Sequence, residues 1–360
     1  MKIIEVCPRY HPFIGGIETH VREISDRIKK KGHEIEIFTT DPTGKLKREE
    51  IINGIKVRRF KSIAPNESYF FSHQLYNALK KESYDVLHVH SFQAFPSFIA
   101  FMARKSDKKF IFTPHYQLDF INPLKIFLHG LYDQIQKKMF FKSNKVICVS
   151  THEMNILQKK FNIPLEKIVV IFNGLNIEEI QKVKKPKKKY DFEIIYTGRL
   201  ERRKNIHLVL PTLKKLIEEN PGINIHYTII GKGVYKKKLL GFIKKFELSE
   251  HVSFYQDFSK KKLMEKYKRA DVFVCLSNYE AFGISVFEAL ACNTPVIVSN
   301  SGGFLSFVKN NYNGFILNDP SELIEKLRFL LKNKLHFKQD FTPYSWDSIA
   351  EETLKVFSDS

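Results

Sequence analysis

Short runs of β-branched and aromatic residues alternate along this chain with longer segments whose apolar positions recur at helical spacing. The first series of runs is Ile3–Val6, His33–Phe38, Val86–His90, Phe110–Thr113, Val146–Val149 and Ile168–Ile171. A second series follows at Glu193–Tyr196, Ile225–Ile230, Val252–Tyr255, Val272–Leu276, Pro295–Val298 and Phe315–Leu317. Strands separated by helices pair in parallel through crossovers, so each series predicts a mainly parallel, doubly wound α/β sheet. The first unit is the clearest: a helix from about Ile17 to Lys31 stops at Gly32, a residue suited to a helix C-terminus. Pro211 places the start or a kink of the helix that follows Lys204.

Between Ile180 and Tyr190 the chain reads Gln-Lys-Val-Lys-Lys-Pro-Lys-Lys-Lys, a solvated run with no hydrophobic face. It marks a boundary between a domain over 1–180 and another over 190–342. After Pro343, the residues Trp346, Ile349, Leu354 and Val356 recur at roughly helical spacing, so 343–360 is expected to be a helix that needs a surface to cover. At 360 residues the chain exceeds one ordinary core, which agrees with two domains.

Composition adds a charge. The chain holds 59 Lys and Arg against 39 Asp and Glu, a formal +20, with 43% hydrophobic and 27% charged residues. This is a folded composition whose field favours phosphates, nucleic acid or anionic lipid. Finger spacings, a basic region leading into heptads and an aromatic ribonucleoprotein motif are all absent, so no nucleic-acid partner is expected. Cys7, Cys148, Cys275 and Cys292 are scattered, with no CxxC pair and no His cluster at ligand spacing; they read as buried reduced thiols, and no metal site is expected. Met1-Lys2-Ile3-Ile4-Glu5 reads as a strand start rather than a signal peptide. The stretch Phe92–Ala103, interrupted by Gln93, Pro96 and Ser97, falls short of the ~20 residues of a spanning helix. A cytoplasmic protein, peripheral on the inner membrane face at most, is the expectation.

Three places carry chemistry. The loop Pro8–Gly16 ends in Gly15-Gly16-Ile17-Glu18 at a helix start, where backbone N–H groups can approach an anion; G-x-G-x-x-G is absent. The strand after the Lys run leads into Thr197-Gly198-Arg199-Leu200-Glu201-Arg202-Arg203-Lys204, which sets a guanidinium fork and an ammonium at the sheet edge where α/β folds bind ligands. Glu280-Ala-Phe-Gly-Ile-Ser-Val-Phe-Glu288 follows another strand. There Glu288 lies in a helix apolar nearly all round and needs donors such as ribose hydroxyls or a neighbouring loop, Glu280 stands in the preceding loop, and Phe282 and Gly283 offer helix-start amides.

Together these residues resemble the retaining glycosyltransferases of family 4 (glycosyl transferases group 1), with the GT-B architecture, across nearly the whole chain. The resemblance rests on Gly15-Gly16, Gly198-Arg199-Leu200 with Lys204, Gly231-Lys232-Gly233, Glu280 to Glu288, Thr294-Pro295-Val296-Ile297 with Gly302-Gly303, and Asn313-Gly314. It implies two Rossmann-like domains facing across a cleft, an acceptor-binding one first and a nucleotide-sugar-binding one second, with the last helix returning to the first domain. It further implies that Gly15, Gly16, Arg199, Lys204, Glu280, Phe282, Gly283 and Glu288 bind the donor. Arg199 and Lys204 would hold its diphosphate, Glu288 its ribose, and Glu280 with the Phe282 and Gly283 amides its sugar, while His115 would face that sugar. His115, Glu280, Arg199 and Lys204 are the implied catalytic set. Departures are Asn293 where relatives carry Gly, Ser306 where many have Glu, and Gln256-Asp257 near the base pocket.

The expected activity is thus a hexosyltransferase, retaining as the resemblance implies, and metal-independent because Asp-x-Asp is absent. It would use a UDP- or GDP-linked sugar, need no cofactor, and act on a lipid-linked or other glycan acceptor. A segment from Phe120 to Lys142 mixing large apolar residues with Lys fits either a membrane interface or a core helix. His88 and His90 fit either the acceptor side or a structural role. Alternatives are a non-catalytic basic membrane or nucleic-acid adaptor on an inactive form of the same scaffold, which would bind no nucleotide sugar, and a sugar phosphorylase. The motifs leave base, sugar, acceptor, linkage and oligomeric state open.

Overall fold

The computed structural model describes residues 1–13, 15–63, 70–92, 94–116, 133–134 and 136–359. The chain forms two compact units: Met1–Gly174 with Pro343–Ser360, and Leu175–Thr342. Each is built on one sheet.

In the first unit the described strands are β1 (Lys2–Cys7), β2 (Glu34–Asp41), β3 (Glu49–Ile52), β4 (Ile55–Lys61), β5 (Val86–His90), β6 (Lys109–Thr113), β7 (Lys145–Cys148) and β8 (Ile168–Val170). Their order is β3-β4-β2-β1-β5-β6-β7-β8. All pair in parallel except β3, which runs antiparallel to β4. The β3–β4 hairpin is absent from the sequence expectations, although its turn residues Asn53 and Gly54 take φ of 49° and 75°, the left-handed pair that favours Asn-Gly at tight hairpins.

The second unit holds β9 (Phe192–Thr197), β10 (Ile225–Ile230), β11 (Val252–Tyr255), β12 (Val272–Cys275), β13 (Val296–Ser299) and β14 (Gly314–Leu317), in the order β11-β10-β9-β12-β13-β14. The strands are parallel throughout. In sequence terms that is the 3-2-1-4-5-6 order of a nucleotide-binding sheet. Pro211 lies in the first turn of the helix Val209–Glu218, where its missing N–H is harmless.

The domain boundary sits earlier than the Lys run suggests. The short helix Ile177–Lys182 belongs to the second unit, because Lys268 Nζ donates to the carbonyls of Ile180 and Val183 at 2.6 Å each and ties it there. The last helix, Trp346–Asp359, packs in the first unit. It buries Trp346, Ile349, Ala350 and Phe357 with Val21, Ile24 and Ile28 of the helix Gly16–Lys30. Lys109 Nζ donates to the carbonyls of Phe357 and Ser358 at 2.9 and 2.7 Å, placing a cation at the negative end of the helix.

Candidate active site

In the second unit, β9 and β12 are neighbours whose onward connections leave in opposite directions, which opens a crevice at their carboxyl ends. Two loops border it. The loop after β9 delivers Lys204, and the loop after β12 delivers Glu280. Lys204 Nζ donates to Glu280 Oε1, and Ser277 Oγ donates to the same oxygen at 2.9 Å. The two charged side chains are only 10% and 17% exposed. The loops are also sewn together by the Asn278 N–H donating to Arg203 O at 3.0 Å and Asn205 Nδ2 donating to Leu276 O at 2.9 Å.

Glycines brace both loops from outside. A Cβ on Gly231 would collide with the carbonyl of Gly198, and one on Gly303 with the carbonyl of Ala281. The close approach lets Leu200 N–H reach Lys232 O at 2.8 Å and Gly303 N–H reach Glu280 O at 2.6 Å. These glycine motifs therefore fix backbone positions beside the ion pair.

Arg199 stands at the crevice rim, 53% exposed, with one nitrogen 3.1 Å from Glu201 Oε1. The other oxygen of Glu201 is held by Arg203 Nε at 2.7 Å. Burial opposes ionisation of Glu201, but Arg199 and Arg203 outweigh it and hold the carboxyl below its ordinary range. A diphosphate meeting Arg199 would compete with Glu201, a partner the sequence reading did not name.

Glu288 lies in the helix Ile284–Ala291, whose Val286, Phe287, Ala289 and Leu290 are buried. Glu288 itself is half-buried, with Ser285 on the same accessible stripe, so the expectation of a helix apolar nearly all round is too strong. Its Oε2 accepts from the Tyr267 hydroxyl at 3.2 Å, and that hydroxyl also meets Thr197 Oγ1 at the end of β9. Gly283 precedes the helix with φ of 93°, and the Phe282 ring packs on Phe287 and Phe307 at 5.2 and 5.0 Å. Asn293 takes φ of 59° after the helix, the left-handed conformation expected of it.

In the first unit, Gly15 caps the helix Gly16–Lys30 without a side-chain hydrogen bond. The carboxylate of Glu18 lies over Gly15, paired with Arg9 Nε at 3.3 Å. Any donor phosphate at this helix end would meet that acidic side chain.

The same unit assembles a buried cluster that sequence spacing does not reveal. Glu5 on β1 is the ladder partner of His88 on β5, and His90 shares the face of His88. Glu5 Oε2 lies 2.9 Å from His88 Nδ1 and 2.8 Å from His90 Nε2. His90 Nδ1 lies 3.3 Å from Nε2 of His115, two residues past β6, and His20 Nδ1 lies 2.6 Å from Asn173 Oδ1. Burial, aided by neighbouring rings, lowers His20 to about 3, His90 to about 4 and His115 well below its ordinary value, so these rings are neutral near pH 7. Burial alone would raise Glu5, but His88 and His90 hold it down at about 2. His88 and His90 are 0% and 1% exposed, which favours their structural reading over the acceptor side. One nitrogen from each of His20, His90 and His115 lies within 4.8 Å of the others, a set able to hold a metal ion.

The loop bearing His115 is clamped by Glu153, which sequence reasoning also missed. The Tyr116 N–H donates to one oxygen of this fully buried carboxyl at 2.5 Å, and the Val149 N–H donates to the other at 2.7 Å. Burial pushes Glu153 from 4.5 up to about 8, against the pull of the two N–H donors. Above pH 4.5 the unfolded chain releases this proton while the folded chain keeps it, so its contribution falls as pH rises to about 8. Melting points across that window should therefore fall with pH more steeply in the wild type than in Glu153→Gln; parallel profiles would refute the assignment.

Residues 120–132 of the Lys-rich apolar segment lie outside the described residues; Met139 and Phe140 at its far end are core residues. Among the described residues no helix is long and apolar enough to cross a membrane.

A family model described as Glycosyltransferase Family 4 matches residues 14–179, and one described as Glycosyl transferases group 1 matches residues 177–352. An uncharacterized glycosyltransferase of Methanocaldococcus jannaschii is 27% identical over 99% of this chain and 98% of its own. The gpi3 subunit of phosphatidylinositol N-acetylglucosaminyltransferase from Schizosaccharomyces pombe is 24% identical over 97% of this chain and 78% of its own. Among solved structures, Anabaena HepE in complex with UDP and glucose superposes with a TM-score of 0.74 at 17% identity, covering 100% of both chains.

Proposed function

The chain belongs to the group 1, family 4 glycosyltransferases and has their GT-B fold of two parallel-sheet domains, and from that premise we propose that it moves a hexose from a UDP- or GDP-linked sugar to a lipid-linked or other glycan acceptor at a membrane surface, with retention and without a metal on the diphosphate. The observation that carries the reading is the Lys204–Glu280–Ser277 constellation at the crevice between β9 and β12.

In this reading Lys204 and Arg199 hold the diphosphate, Glu288 takes the ribose hydroxyls beside Tyr267, and Glu280 orients the transferred sugar. His115, whose Nε2 lies 3.3 Å from His90 Nδ1, is the residue of the first unit assigned to the transferred sugar by the family resemblance. The acceptor oxygen attacks the anomeric carbon from the face the diphosphate leaves, and its proton passes to a donor phosphate oxygen. No side chain need act as base. The cations neutralise the departing charge in a partly desolvated crevice, where preorganised electrostatics is strong. The absence of Asp-x-Asp and the +20 charge support a protein-only clamp and attraction to anionic lipid. The name of the Schizosaccharomyces pombe relative supports a lipid-borne acceptor.

The test is thermal shift of the metal-free protein with UDP-, GDP- and ADP-sugars and their diphosphates, repeated with Glu288→Ala and Arg199→Ala. One nucleotide class should stabilise the wild type and neither variant. Stabilisation by none would overturn the reading in favour of an inactive scaffold.

A further inference from the structure

We infer that His20, His90 and His115 form a binding site for a single transition-metal ion of the zinc class in the first unit. The site shares His115 with the proposed sugar contact but no residue with the phosphate clamp of the second unit.

Geometry comes first. The candidate nitrogens, from a helix, a strand end and a loop, all lie within 4.8 Å of one another. The His90 Nδ1 to His115 Nε2 separation is 3.3 Å. That is long for a hydrogen bond, and it equals the edge of a tetrahedron with Zn–N bonds of about 2.0–2.1 Å, roughly 3.3–3.4 Å. The His20 ring stands edge-on to both others, with centroids 5.4 Å from His90 and 5.0 Å from His115.

The outer partners then aim the lone pairs. Asn173 Oδ1 accepts from His20 Nδ1, which leaves Nε2 as the lone-pair nitrogen. That atom is fully buried and, among the described residues, has no hydrogen-bond partner. Such an orphan in a tightly packed core calls for an explanation. Glu5 accepts from His90 Nε2, which leaves Nδ1 as the lone-pair nitrogen on the side of His115. A carboxylate behind a ligating histidine and a carbonyl oxygen behind another are the usual supports of metal-bound imidazoles. Only His115 has to move its proton from Nε2 to Nδ1, a tautomer change within a neutral ring.

Three neutral nitrogens with no thiolate and no directly ligating carboxylate suit zinc, cobalt or nickel rather than magnesium or calcium. Such an ion would fasten the helix Gly16–Lys30, the end of β5 and the loop after β6 at one point. Sequence spacing, with ligands at 20, 90 and 115, gave no hint of it.

The test uses the tag-free full chain, stripped with chelator and titrated with Co²⁺ and then Zn²⁺. The expected result is an intense visible cobalt band of tetrahedral type that one equivalent of Zn²⁺ abolishes, with one zinc retained per chain by elemental analysis after gel filtration. His20→Asn should lose the band, and Glu5→Gln should weaken Zn²⁺ binding about 10–100-fold while keeping all three ligands. Absence of a tetrahedral cobalt spectrum in the wild type, or a band unchanged in His20→Asn, would overturn the site and leave the cluster a metal-free hydrogen-bonded network. Because the wild-type spectrum is decisive alone, a variant that fails to fold does not remove the test. Nucleotide binding is read on the second unit, so failure here and failure of the transferase reading are distinguishable.

Discussion

Lys204→Ala should lower kcat/KM for sugar transfer by about 10²–10³, the usual cost of removing one preorganised donor from a developing charge. Two effects add. In the proposed reading the departing diphosphate loses the more buried of its two cations, and Glu280 keeps Ser277 as a partner but loses its ion pair, so that its charge repels the phosphate. Lys204→Arg should recover little of the loss, because a planar fork cannot reproduce a point charge seated on one carboxylate oxygen. The loss should be greater in kcat than in KM, since the charge grows as the bond breaks. Single-turnover transfer with the nucleotide sugar identified by thermal shift measures this. A change under about threefold would mean that Lys204 serves the fold and that Arg199 carries the phosphate alone.

Trp346→Ala should destabilise the first unit by about 3–5 kcal/mol, the range for truncating a large buried aromatic. Trp346 is 2% exposed and packs so closely on Gly174 that a Cβ there would strike its ring. It also stands 5.9 Å from the His20 ring. Since the indole sits in one unit only, denaturant curves of the variant should separate into two transitions, with the first unit melting early. Nucleotide-induced stabilisation of the second unit should survive. Trp346 is the only tryptophan in the chain, so its emission reports the first unit in the wild type and circular dichroism reports the variant. A loss under about 1 kcal/mol would show that Ile349, Ala350 and Phe357 hold the helix without it.

The strand pattern was legible because parallel strands covered on both faces are written as continuous apolar runs. The hairpin β3–β4 was not, because Glu49, Glu50, Lys56, Arg58 and Arg59 dilute its apolar positions at the sheet edge; only the Asn53-Gly54 turn betrays it. Lys204 and Glu280 could each be singled out as charged residues just past a strand. That they form one ion pair is set by the adjacency of β9 and β12, and sheet order is not written in either motif. The domain boundary drifted for a similar reason: composition marks the Lys run, but packing of Ile177–Lys182 decides the border. The histidine cluster and the Glu153 clamp stayed hidden because their members come from distant segments, and each looks alone like an ordinary polar residue in an apolar run.

The return of the last helix to the first unit has a consequence for how the protein is made. On the ribosome, β1 to β8 emerge before the second unit, yet the cover over Val21, Ile24 and His20 is translated only after the whole of that unit. The continuous second unit can close while it is being synthesised. The first must wait with an apolar face open, a natural place for a chaperone to sit until the helix Trp346–Asp359 has been made.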